Sequence, residues 1–210
     1  MVITIEREVK DTSAYLGKQT LDKRVMAVMA LIPRHEFVPA AIGYLAYDNC
    51  ALAIGQGQTI SQPYIVALMT DLLLPQEGQV VLEIGSGSGY QSAILSSLVG
   101  RVYSLEINSQ LATKAAKTLN KLGYKNVDVR CANGYKGLPE KAPFDSIIVT
   151  AGGHIPPLLL DQLRPGGRMV IPVGDQSGSQ YLTVLEKNVQ GIVHERRVLP
   201  VRFVPLIGDE

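Results

Sequence analysis

Three features between residues 55 and 106 have the residue types and spacing to hold a charged small molecule. The first is Gly85-Ser86-Gly87-Ser88-Gly89, directly after the apolar run Val80-Val81-Leu82-Glu83-Ile84. Glycines let backbone N–H groups approach a ligand closely, and the loop after the first strand is where open α/β sheets bind theirs. The second is a pair of carboxylates: Glu83, two residues before Gly85, and Glu106, which ends the next apolar run. The third is the polar stretch Gly55-Gln56-Gly57-Gln58-Thr59-Ile60-Ser61-Gln62-Pro63-Tyr64. A dinucleotide fingerprint, G-x-G-x-x-G, would need glycine where Tyr90 stands. A carboxylate at Glu83, near the mouth of the site, would repel a pyrophosphate but suits a ligand carrying sulfonium and ammonium groups. Glu106 is placed to accept hydrogen bonds from both hydroxyls of a ribose, a feature shared with NAD proteins. No G-x-x-x-x-G-K-[ST] pattern is present. The ligand that meets these constraints is S-adenosylmethionine; the alternative is that the glycines only make a tight turn against a helix.

The elements around these residues must bring them together. Ser61 followed by Pro63 reads as an N-cap and a proline in the first helical turn. A helix over 62–74 then shows Ile65, Leu68, Met69, Leu72 and Leu73 at helical spacing. Pro75-Gln76-Glu77-Gly78 turns the chain into a buried strand at 80–84. Such a helix spans roughly 20 Å and such a strand about 17 Å. The tight turn makes them antiparallel, so Ser61 is predicted to face the glycine loop. Further strands are expected at 102–106, 127–131, 146–149, 168–173, 181–186 and 193–204. Helices are expected at 21–32, 90–99, 108–122 and 156–163, with residues up to about 20 polar and weakly helical and 34–61 loop-rich. Leu163-Arg164-Pro165-Gly166-Gly167 reads as a turn. Strands alternating with helices imply an α/β fold: a mostly parallel twisted sheet with helices on both faces and an antiparallel C-terminal edge.

Composition narrows the function classes. The chain has 210 residues, 46% hydrophobic and 19% charged, with a formal net charge of +1. That suits a single domain, 1–60 forming a helical and loop extension on the substrate side and 61–210 the cofactor-binding core. No basic run points to nucleic acid, and no apolar run has the length of a membrane span. No signal-peptide pattern is seen at the start, so the expected setting is cytoplasmic. Cys50 and Cys131 show neither metal spacing nor a disulfide framework and read as small core residues. The expected assembly is a monomer or small homo-oligomer.

The chain resembles the protein-L-isoaspartate O-methyltransferases, the bacterial form in particular. The resemblance rests on Val38-Pro39, Tyr47-Asp48, the segment from Ile54 to Tyr64, Leu82-Glu83-Ile84-Gly85-Ser86-Gly87-Ser88-Gly89-Tyr90-Gln91, and Ala142-Pro143-Phe144-Asp145. It continues through Gln162-Leu163-Arg164-Pro165-Gly166-Gly167-Arg168, Ile171-Pro172-Val173-Gly174 and Val201-Arg202-Phe203-Val204-Pro205-Leu206. The glycine loop identifies only a broad methyltransferase class; Thr59-Ile60-Ser61 at this spacing is much more specific. The family implies a Rossmann-like S-adenosylmethionine-dependent methyltransferase fold. It also implies methyl transfer to the α-carboxylate of L-isoaspartyl residues in damaged proteins and peptides, with S-adenosylhomocysteine as product. The ester then cyclises to a succinimide, which starts repair. By this resemblance Ser61 is the catalytic residue that contacts the substrate carboxylate, with Thr59 and Ile60 shaping its pocket. The cofactor residues carried over are Glu83, Gly85, Ser86, Gly87, Gly89, Glu106, Asn133 and Gly134; no metal is implied. Ser61 as an ordinary helix cap is the competing role, and the two can coexist.

The chain departs from the family pattern at Ala132-Asn133-Gly134, where Gly-Asp-Gly is usual. The amide oxygen of Asn133 can accept a hydrogen bond from the adenine amino group without charge assistance, a difference on the order of 1 kcal/mol. Thr150-Ala151-Gly152-Gly153 stands where alanines are common, and Ala53 where a proline is. His35 reads as a loop or packing residue, and His154 as solvent-exposed or bordering the cleft. Rival functions are methylation of an aspartyl side chain in a modified peptide, a catalytically idle cofactor binder, and a nicotinamide oxidoreductase.

Overall fold

A computed structural model describes residues 1–175 and 178–209. Its centre is a seven-stranded sheet built from β3 (Val80–Ile84), β4 (Arg101–Glu106), β5 (Val127–Cys131), β6 (Phe144–Val149), β7 (Leu163–Val173), β8 (Gln180–Lys187) and β9 (Val193–Val201). The strand order is β5-β4-β3-β6-β7-β8-β9. Strands β3 to β7 are parallel, while β8 runs antiparallel to both β7 and β9. The connections leave β3 toward β4 on one side and β6 on the other, so the loop after β3 sits at the topological switch point.

Alternation along each strand divides the core in two. Val81, Val102 and Ile148 face one side, under α4 (Pro63–Leu73), α5 (Tyr90–Ser96) and α6 (Ser109–Lys121). Leu82, Ile84, Ile147 and Val149 face the other, covered by α7 (Pro157–Gln162). Helix α4 is buried almost all round because it lies between the sheet and an outer layer. That layer comprises α1 (Val2–Asp11), α2 (Ser13–Leu16) and α3 (Lys23–Leu31). An ion pair from Lys18 to the buried Asp71 and a bond from the Asp22 N–H to the same carboxylate (2.6 Å) fix the outer layer to α4.

The expected strands and the alternation of strands and helices are present. Several boundaries differ. Residues 34–61 hold 3-10 turns at Arg34–Phe37 and Ala40–Leu45 and a hairpin of β1 (Leu52–Gly55) and β2 (Gln58–Ile60). Gln56, at φ 55°, and Gly57, at φ 70°, make its turn. The turn expected at 163–167 is a bulge inside β7: Phe144 pairs with Leu163 but Ser146 with Arg168. The last strand ends at Val201, and residues 204–206 instead cross back to bond with Gly152. Cys50 and Cys131 are exposed free thiols, not core residues, since Cys50 lies in the loop before β1 and Cys131 ends β5.

Candidate active site

The glycine loop is held by its neighbours as much as by its own turns. Gly85, Gly87 and Gly89 all take positive φ, at 94°, 52° and 88°, a region that disfavours residues with a Cβ. A Cβ on Gly85 would stand 2.4 Å from Oγ1 of Thr150. That hydroxyl donates to the carbonyls of Gly85 (2.7 Å) and Ile84 (3.0 Å), which locks the start of the loop. Glu106 closes the far end: Oε2 accepts from the Gly87 N–H at 2.9 Å and Oε1 from the Asn108 N–H at 3.0 Å. Each oxygen keeps a second lone pair for a ligand hydroxyl.

Beside Glu106 lies a narrow slot of about 60 Å³, with Gly85, Gly87, Gly134 and Ile84 on its walls. Gly134 has no room for a side chain, because a Cβ there would lie 2.3 Å from Cγ2 of Ile84. Residues 204–207 and Gln58–Thr59 cover the slot. It shares Thr59, Thr150, Val204 and Pro205 with a larger cleft of about 900 Å³. That cleft runs past Ser61, Gln62, Tyr64 and Ile65 to Glu8 and Thr12 of α1.

The structure brings Ser61 to the glycine loop as the antiparallel helix and strand require. Thr59, Ile60 and Ser61 line one small cavity with Gly85, Ser86, Gly87, Ser88 and Tyr90. Ser61 is not the N-cap of α4. Gln62 holds that position with extended backbone and Pro63 takes the first helical position, which moves the start by one residue. The Tyr64 N–H is instead capped by Oδ1 of Asn49 at 3.1 Å. The Ser61 hydroxyl therefore has no capping duty, and Ser61 lines both the small cavity and the larger cleft. Its carbonyl is fixed from behind by Nη2 of Arg34 at 2.7 Å.

Arg34 is wholly buried. Its Nε donates to the carbonyl of Ala46 at 2.8 Å, and its guanidinium lies 4.8 Å from the centre of the Tyr90 ring. Burial lowers its pKa to about 10, so it stays charged at neutral pH, while burial pushes Tyr90 up to about 12. The guanidinium thus joins the 3-10 segment, the Ser61 backbone and the first residue after the glycine loop.

Glu83 does not stand at the mouth. Strand alternation turns it to the α5 side of the sheet, where it is completely buried. Its Oε2 accepts from Oγ of Ser104 (2.6 Å) and from Ser92, while Oε1 has no partner among the described residues. Burial raises its pKa to about 7; the two serines oppose the shift and Glu106 adds to it. Ser104 also bonds Ser86 of the glycine loop at 2.5 Å, so Glu83 reaches the loop only through serines. Asn133 likewise stands beside the slot and not on its wall. Its Oδ1 accepts from the Tyr135 N–H (3.0 Å) and its Nδ2 donates to the carbonyl of Asp209 (2.7 Å). The Nδ2 tie to Asp209 leaves Oδ1 with one further lone pair, the acceptor that an adenine amino group would need.

His35 bonds Oη of Tyr47 at 2.7 Å on the surface, and exposed His154 stacks on Tyr135 at 5.3 Å. Sequence reasoning named Thr150 only within the departure Thr150-Ala151-Gly152-Gly153 and did not single out Arg34, Asn49 or Glu8. Only Thr150 carried a usable signal, as the residue that follows the strand next to β3.

Comparison with known proteins agrees with this geometry. Residues 10–210 match the family described as protein-L-isoaspartate(D-aspartate) O-methyltransferase. Protein-L-isoaspartate O-methyltransferase 2 of Syntrophobacter fumaroxidans is 58% identical over 209 residues, covering 99% of this chain and 85% of that one. Its namesake from Polaromonas sp. is 54% identical over 210 residues and all of both chains. A solved protein-L-isoaspartate O-methyltransferase superposes with a TM-score of 0.83 at 29% identity, over 99% of this chain and 66% of that one. A Plasmodium falciparum structure in complex with S-adenosyl-L-homocysteine shares the fold, with a TM-score of 0.76 at 23% identity over 96% of this chain and 98% of that one. The chain belongs to the protein-L-isoaspartate(D-aspartate) O-methyltransferase family.

Proposed function

We propose that the protein methylates the α-carboxylate of L-isoaspartyl residues in proteins and peptides, using S-adenosylmethionine and releasing S-adenosylhomocysteine. The observation that carries this reading is Ser61: a hydroxyl free of capping, beside a locked glycine loop, at the wall of a peptide-sized cleft. The cofactor supplies a methyl group activated by a positive sulfur. Gly85, Gly87 and Gly134 offer backbone on the slot wall and Ser86 on the adjoining cavity, Gly89 ends the loop against Leu119 of α6, and Glu106 offers acceptors for ribose hydroxyls. Glu83 supports that loop through Ser104 and contributes no direct contact. Asn133 holds the chain end over the slot.

A carboxylate is already ionised at neutral pH, its usual pKa being near 4. Its methylation needs no general base, so the protein has to place it. Ser61 holds one carboxylate oxygen, with Thr59 and Ile60 shaping the pocket. Arg34 keeps the Ser61 backbone in place, and positioning of this kind supplies several kcal/mol. Residues 1–60 form the substrate side through Glu8, Thr12 and Thr59; the remainder forms the cofactor core. Two exposed free thiols suit a reducing, cytoplasmic setting. Isoaspartyl and aspartyl versions of one peptide, each with labelled cofactor, test the reading. Label should enter the isoaspartyl form; label in the aspartyl form alone would assign the side-chain methylation reading instead.

A further inference from the structure

A cleft selects among substrates through the charges on its walls. The cleft beyond Ser61 has two charged side chains, Glu8 from α1 and Arg202 after β9. Arg202 is exposed at the end of a strand, whereas Glu8 is half-buried and held in place. Its Oε1 accepts from Nδ2 of Asn49 at 3.2 Å, and Oδ1 of that amide accepts from the Tyr64 N–H in the first turn of α4. One amide therefore ties the Glu8 carboxylate to the helix start that follows Ser61. Asn49 orients Glu8 but does not neutralise it. Among the described residues Glu8 forms no ion pair, whereas Asp71, Glu36, Asp145 and Glu186 each pair with a lysine or arginine. A fixed, uncompensated carboxylate on a cleft wall is a receptor for a cation.

We infer that Glu8 is a specificity-determining residue, favouring isoaspartyl peptides with lysine or arginine at one position near the isoaspartyl residue over those with glutamate there. The inference rests on the functional reading above. A partly exposed pair of opposite charges changes affinity by about two- to fivefold. The preference should weaken as salt rises, because the cleft is open to solvent.

The test uses isoaspartyl peptides bearing lysine, glutamine or glutamate at each neighbouring position in turn, with kcat/KM measured for wild type, Glu8→Gln and Glu8→Lys. At one position the wild type should favour lysine over glutamate by about fivefold. Glu8→Gln should bring that ratio to about one, and Glu8→Lys should invert it. Ratios within one variant cancel any change in the amount of folded enzyme. A wild-type preference that both variants leave intact overturns this inference alone, as does the absence of any preference. Failure of the wild type to methylate any isoaspartyl peptide overturns the functional reading and this inference with it.

Discussion

Replacing Glu83 by glutamine should change how stability depends on pH, and the size of the change follows from the site. The carboxyl is completely buried, and its pKa rises from the usual 4.5 to about 7. Between those values the folded protein keeps a proton that the unfolded chain has lost. Folded stability from this group therefore falls as pH rises from 4.5 to 7 and is level above it. A shift of that size corresponds to about 3 kcal/mol. Glutamine keeps an acceptor for Ser92 and Ser104 but has no charge to bury. Its amide N–H group meets the position where Oε1 has no partner, which adds a cost that does not vary with pH. Urea unfolding of both proteins from pH 5 to pH 8 isolates the pH-dependent part, because other carboxylates cancel in the difference. The stability of wild type relative to Glu83→Gln should drop by about 3 kcal/mol across the full window, with most of the drop visible in that range. Parallel curves would refute a buried carboxyl whose pKa is raised to about 7.

Other outcomes follow from contacts around the loop. Arg34→Lys removes the donors to Ala46 and Ser61, and leaving buried carbonyls without partners should cost about 2–4 kcal/mol in urea unfolding. A loss below about 0.5 kcal/mol would show that other donors replace it. Gly85→Ala puts a methyl group against Thr150 at a positive φ, so S-adenosylhomocysteine affinity by calorimetry should fall about tenfold or more. Unchanged affinity would mean that the loop is not the cofactor cradle. Asn133→Asp turns the donor to Asp209 into an acceptor, so the backbone at residues 208 and 209 should become more mobile in NMR relaxation; unchanged order parameters would show that this tie does not hold these residues.

Much of the frame was legible in the sequence. The 3.6-residue spacing of α4 and the short apolar runs of β3 to β7 are strong periodic signals, and a tight turn between helix and strand left one way to place Ser61. Glu83 shows where such reasoning stops. Position before a glycine loop suggested a carboxylate at the mouth, yet period-two alternation with Val81 directs it under α5. Ser61 shows a second stop: S-x-P is a common cap pattern, but the capping group is Asn49, twelve residues upstream and supplied by tertiary packing. Arg34 and Glu8 gave no local signal because their roles depend on partners distant in sequence.

The central claim is that Ser61, freed from capping, holds the substrate carboxylate. Ser61→Ala, assayed on an isoaspartyl peptide at saturating cofactor, tests it most directly. Turnover should fall by about tenfold or more, the loss of one contact worth roughly 1.5 kcal/mol in the transition state, while unfolding by urea stays unchanged. Full turnover in the stably folded variant would contradict the claim.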